Sequence, residues 1–194
     1  MSSQTARPDR HIPGEPGIWM LIVGDMTLFS LLFGLFLHSR AGDPVLFTES
    51  QAQLNPLLGL VNTLLMLSSS WLVASGVQAA RRGESALVAR CFQWAIACGA
   101  AFLGVKVIEY SEKIAAGLNM WSNDFFMLYF TYTGIHMIHV VLGMGVLAGL
   151  LALARNHGGA ARHLRAIENG AIFWHLVDLI WVVLFALLYL AGRS

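Results

Sequence analysis

Five long apolar stretches fill most of this chain, and ionisable residues stand inside them. Asp25, Lys106, Glu109, His136, His139, His175 and Asp178 all fall within such runs. An ionisable group in hydrocarbon is costly, so each must meet another polar group, water, a lipid headgroup or a partner protein. About twenty apolar residues cross a bilayer core. The stretches at 17–38, 56–80, 90–113, 125–153 and 169–190 reach that length. Hydrophobic residues make up 57% of the 194 positions, charged residues 12%, and the mean hydropathy is +0.65. Those values lie outside the soluble globular range.

The connecting segments are short and hold most of the charges, which leaves no room for a soluble domain. The expected architecture is an all-α membrane protein: one five-helix bundle over 17–194, preceded by a polar tail over 1–16. Pro8, Pro13 and Pro16 make that tail irregular. The first apolar run is too long for the core of a cleaved signal and contains Asp25, so it reads as a retained helix.

Lys and Arg in the connections set the orientation. Arg7, Arg10, Arg81, Arg82, Arg90, Arg155, Arg162 and Arg165 lie on one side, and Arg40, Lys113 and Arg193 on the other. This asymmetry puts the N-terminus in the cytoplasm and the C-terminus outside, in the periplasm if the host is a bacterium and the membrane its inner one. A net charge of +1 gives no reason to invoke nucleic acid. The Arg pairs read as topology signals that also suit anionic lipid. Cys91 and Cys98 are two helical turns apart, about 10 Å, too far for a disulfide, and no zinc-ligand spacing exists.

Within the first helix, Asp25 lies about 12 Å from the cytoplasmic end, with Phe29, Phe33 and Phe36 continuing along its side. It reads either as a buried structural hydrogen-bonder or as a proton-handling or lipid-organising group. In the second helix Asn55-Pro56 forms a capped start. Asn62, Ser69 and Gly76 recur every seven residues, a pattern that suits close helix packing in lipid. In the third, Lys106 and Glu109 share a face and can neutralise each other, with Glu112 one step further. Their place near the outer end would let long side chains snorkel, and a structural ion pair is preferred to an ion-transport site.

The fourth helix carries one stripe of Phe125, Tyr129, Tyr132, His136, His139 and Gly143. The two histidines read as hydrogen-bonders across the bundle in preference to metal or haem ligands, since no carboxylate or Cys joins the stripe. In the fifth, His175 and Asp178 share a face, where a carboxylate can orient an imidazole, and Trp174 and Trp181 adjoin them. Asp25, His139, His175 and Asp178 lie at similar depth and are expected to form one network.

These segments resemble subunit III of haem–copper oxidases over essentially everything after the tail. GIWMLIVGDMTLFSLLFGLFL resembles the family's helix with an acidic residue ahead of an aromatic run. VNTLLMLSSSWLVASG, containing Asn62, resembles its Asn-Thr, Ser-rich helix. FLGVKVIEYSEKI, with Glu109, Tyr110 and Glu112, resembles its Glu-Tyr-x-Glu helix end. FFMLYFTYTGIHMIHVVLGM resembles its Thr-Gly-x-His-x-x-His helix, and IFWHLVDLIWVVLFALLYL its Trp-His-x-Val-Asp-x-x-Trp helix; these two are the specific ones.

The resemblance implies an accessory subunit without a redox centre. Haem and copper would belong to a catalytic partner subunit, phospholipid would bind between helices, and the chain would support assembly and proton uptake. Asp25 falls where the family has a carbodiimide-reactive carboxylate, usually Glu. The longest family members have two further helices at the front, so their lipid-holding cleft cannot form from this chain alone. The opening IPGEPGIWMLIVGDM and the ending KVIEYSEKI look most like the NorE-type proteins associated with nitric oxide reductases. The residues by themselves also admit a proton- or ion-coupled transporter built on Asp25, His139, His175 and Asp178, or a small cytochrome using His136, His139 and His175. Against the transporter, no inverted repeat or Gly/Pro-broken helix pair is present.

Overall fold

A computed structural model describes residues 16–156 and 160–191. Residues 1–15 of the polar tail, including Arg7 and Arg10, and Arg193 lie outside the described residues, while Pro16, expected in the irregular tail, is the first residue of α1, where its fixed φ suits a helix start. The elements are α1 (Pro16–Gly42), α2 (Pro44–Ala52), α3 (Pro56–Arg81), α4 (Ser85–Ala115), α5 (Asp124–Asn156), a 3-10 turn (Ala160–His163) and α6 (Leu164–Phe185). The last helix continues as a π-helical turn over Ala186–Leu190. No strand occurs among the described residues. Five helices are long and apolar enough to cross a membrane, which makes this a multi-pass membrane protein.

The helices outrun the apolar stretches at several ends. α4 begins five residues ahead of the expected position 90, and α6 begins at Leu164 where 169 was expected. Hydropathy marks the hydrocarbon layer, whereas backbone hydrogen bonding carries the helix on into the polar ends. The turn between α3 and α4 closes on Gly83, whose φ of +76° favours glycine. Across this turn Arg82 Nε donates to Glu84 Oε1 at 2.7 Å.

One element falls where only a loop was expected. Asp43 caps α2, its carboxylate accepting from the Leu46 amide at 3.0 Å, and Pro44 supplies the first turn. The buried face of α2 carries Phe47, Ser50 and Gln51. Phe47 packs edge-on to Phe36 of α1 and Phe125 of α5. Gln51 Nε2 donates to the Leu188 carbonyl at 2.8 Å, and Arg40 donates to the Ala191 carbonyl at 2.6 Å. The end carbonyls of a helix have no intrahelical donor, and α1 and α2 thus satisfy those of the last helix.

The heptad of α3 faces α4. Ser69 Oγ donates to the Ala95 carbonyl at 3.2 Å. A Cβ on Gly76 would stand 2.7 Å from the Phe92 ring. Asn62 is fully buried in the same row. On the other side of α3, Gly59 lies under Phe185 and Tyr189. Trp174 of α6 fills the space left by Gly99 on α4 and Gly143 on α5. α6 is thereby the central helix, with α3, α5 and the more peripheral α1 arranged around it.

Candidate functional site

The densest polar cluster surrounds Lys106, near the end of the bundle where α2 lies. Its Nζ donates to Glu109 Oε2 at 2.9 Å, Tyr189 OH at 3.1 Å and Tyr129 OH at 3.2 Å. Tyr189 OH donates to Glu109 Oε1 at 2.6 Å. Each ammonium hydrogen and each carboxylate oxygen therefore has a partner. The rings of Tyr129, Trp181, Tyr110 and Tyr189 lie 4.9–5.7 Å from the ammonium, within cation–π range. Lys106 and Glu109 are both 0% exposed. The side chain does not snorkel as expected, because α5 and α6 close over it and bring polar partners to it. Tyr110 pairs with the Thr133 hydroxyl, and Glu112 is exposed one turn further.

His136 lies next to this cluster and is fully buried. Its ring packs edge-on to Phe102 and tilted against Trp181, with centroids 5.5 and 5.3 Å away. Neither ring nitrogen has a hydrogen-bond partner among the described residues. The expected hydrogen bond across the bundle is absent because aromatic rings occupy the facing positions. Trp181 Nε1 instead donates to Thr63 Oγ1 at 3.1 Å, tying α6 to α3.

His139 behaves differently. Its Nδ1 lies 2.9 Å from the Ile135 carbonyl of its own helix. A carbonyl only accepts, so Nδ1 carries the hydrogen. Nε2 faces Asp25 Oδ2 at 3.6 Å. One further proton placed between them would make the pair either imidazolium and carboxylate or imidazole and carboxylic acid. Phe29 packs edge-on to the His139 ring, and Tyr132 OH donates to the Leu32 carbonyl at 2.6 Å. Together these contacts hold α1 against α5.

A third group lies on α6. His175 Nδ1 is 2.6 Å from Ser70 Oγ on α3 and 3.8 Å from Asp178 Oδ2. Asp178 is buried. The four residues expected in one network thus divide into Asp25–His139, between α1 and α5, and Ser70–His175–Asp178, between α3 and α6. Sequence gives their common depth but not which helices adjoin. Among the described residues, no three of His, Cys, Asp and Glu converge as a metal-ligand set.

Tyr189, Ser70 and Thr63 were not singled out from the sequence, although each partners a residue that was. The Lys106 cluster can hold helices in register, whereas the Asn62 amide, both His136 nitrogens, Trp174 Nε1 and both Asp178 oxygens are buried without a hydrogen-bond partner among the described residues.

Comparison with known proteins agrees with this geometry. The family model described as cytochrome c oxidase subunit III matches residues 14–193. The chain is 31% identical over 176 residues to "Cytochrome c oxidase subunit 3" of Synechocystis sp., covering 90% of this chain and 74% of that protein. It is 28% identical over 178 residues to "Quinol oxidase subunit 3" of Bacillus spizizenii, covering 91% and 86%. It is also 28% identical over 179 residues to "Cytochrome bo(3) ubiquinol oxidase subunit 3" of Pseudomonas aeruginosa, covering 91% and 84%. With a match over nearly its whole length, and its Thr-Gly-x-His-x-x-His and Trp-His-x-Val-Asp helices set side by side in the bundle, the chain belongs to the cytochrome c oxidase subunit III family.

Proposed function

We propose that this chain is an accessory, non-catalytic transmembrane subunit of a respiratory haem–copper enzyme, with haem and copper held by the catalytic partner subunit. The observation that carries the reading is the use of its membrane-embedded charges. Lys106, Glu109, Tyr129 and Tyr189 satisfy one another in a closed, fully buried cluster. Such a cluster locks α4, α5 and α6 together and offers no open position to a substrate. The division of the mid-membrane acids and imidazoles into separate pairs favours this reading over a transporter with one continuous ion site.

In this reading the bundle supports assembly of the catalytic subunit, organises phospholipid and sustains proton uptake from the cytoplasmic side of a bacterial inner membrane. An apolar cleft of about 420 Å³ between α1, α5 and α6, lined by Leu21, Leu142, Val146 and Phe173, has the lining an acyl chain requires. Asp25 and His139, one turn deeper, are the groups suited to hold a proton. The enzyme served is a cytochrome c or quinol oxidase, as in the named relatives, or a nitric oxide reductase, as the NorE-like opening suggests.

The test is purification from native membranes in mild detergent. The chain is expected to migrate with a larger subunit that shows a haem Soret band. Recovery of the chain free of any haem-bearing subunit, together with ion flux through proteoliposomes that contain it alone, would overturn the proposal.

A further inference from the structure

Among the ionisable side chains deep in the bundle, His175 is the outlier. Lys106 and Glu109 are 0% exposed, Asp178 6%, His139 15% and Asp25 20%, but His175 is 40% exposed. It stands eleven residues after Leu164, the start of α6, which is about 16 Å along the axis. Fifteen residues, about 22 Å, separate it from the last helical residue, Leu190. An imidazole cannot span either distance to the headgroup layer, so snorkelling gives it no water.

Its inward nitrogen is already engaged. Nδ1 meets Ser70 at 2.6 Å, with Asp178 behind it at 3.8 Å. The outer edge of the ring, with Nε2, faces out of the bundle. Around it α6 presents Leu179, Val182 and Val183, and α3 presents Leu67, all exposed. These residues form an apolar strip on α6 between its contacts with α3 and with α1. In acyl chains Nε2 would have no hydrogen-bond partner, an arrangement disfavoured at this depth.

We infer that this strip of α6, centred on His175, is the surface on which the catalytic subunit packs, through a partner transmembrane helix that carries a hydrogen-bonding side chain opposite Nε2. The inference rests on the accessory-subunit reading and adds to it a face and an anchor. The Ser70 hydroxyl fixes the ring so that Nε2 points at the partner. The surrounding aliphatic side chains exclude lipid and water from that bond, which gives an interhelical hydrogen bond its worth in a membrane.

The experiment uses the complex in its native membrane. A photo-crosslinking amino acid is placed at Leu179, and in a second strain at Val141, an exposed position on α5. Irradiation is expected to join Leu179 to the haem-bearing subunit and Val141 to lipid. In parallel, His175→Phe is expected to lower recovery of that subunit with the chain roughly tenfold, as suits loss of one membrane hydrogen bond. His175→Gln, which keeps a polar tip, is expected to restore most of it. If the unmodified complex purifies intact but Leu179 yields only lipid adducts, or Val141 and not Leu179 yields the subunit adduct, the inference fails and the accessory reading stands. If the unmodified chain carries no haem-bearing subunit at all, both fall.

Discussion

The hydroxyl of Tyr189 donates to Glu109 at 2.6 Å, so the turn that ends the last described helix closes the cluster around Lys106. Tyr189 lies on the π-helical turn Ala186–Leu190, whose carbonyls are in turn held by Gln51. Tyr189→Phe removes one donor from a buried carboxylate, at an expected cost of about 1–3 kcal/mol. A lowered thermal midpoint of the purified chain in detergent checks this. An unchanged midpoint would mean that the cluster tolerates an unpaired oxygen.

The ion pair itself calls for a double-mutant cycle. Lys106→Met leaves the buried Glu109 carboxyl without its ion partner, with an expected loss of about 3–5 kcal/mol. Adding Glu109→Leu removes the orphan and should recover most of that loss, because replacing a whole buried pair with apolar groups is often close to neutral. Chemical denaturation of the two variants measures the difference. If the double variant were no more stable than the single one, the pair would not act as a unit.

The five spans were legible in the sequence because burial in lipid leaves an apolar run that nothing else requires. α2 was not, since nine residues containing Thr48, Glu49 and Gln51 are too short and too polar to read as a span. Its signals were the Asp43-Pro44 cap and the Phe47, Ser50, Gln51 spacing. Depth along each helix was likewise legible, which placed Asp25, His139, His175 and Asp178 at one level. Their partners were not, because pairing depends on which helices adjoin: α1 leans on α5, and α3 flanks α6. The position of Tyr189 is set by the widened turn that carries it, which no 3.6-residue period announces. His136 shows the same limit, since the stripe on α5 gave its face but not the rings of Phe102 and Trp181 opposite.

Outside the spans, the turn between α3 and α4 gives a pH signature. The hydrogen bond from Arg82 holds the Glu84 carboxyl below the ordinary glutamate range. A carboxylate with a depressed folded pKa contributes stability above its unfolded pKa, and that contribution is lost as pH falls through the folded value. The pair is fully exposed, so the effect on overall stability is small. The readable quantity is the titration of the Glu84 carboxyl carbon by NMR. Its midpoint should lie below that of a free glutamate and move up on Arg82→Gln. An unmoved midpoint would show that the pair does not persist in solution.

The glycines of α5 make the sharpest test of the packing. A Cβ at Gly143 would stand 2.7 Å from Cε3 of Trp174. That ring is fully buried against Gly99 on its other side and has nowhere to move. Gly143→Ala therefore forces α5 away from α6 or drives Trp174 out of position, with an expected cost of about 1–3 kcal/mol. Two residues on, a Cβ at Gly145 would meet nothing within 4 Å. Gly145→Ala should leave the isolated chain unchanged or raise its stability by up to about 1 kcal/mol, through the higher helix propensity of alanine. Thermal melts of the two variants in the same detergent give the comparison. The two substitutions are chemically identical and lie half a turn apart, so equal melting points would mean that Trp174 is not wedged between α4 and α5.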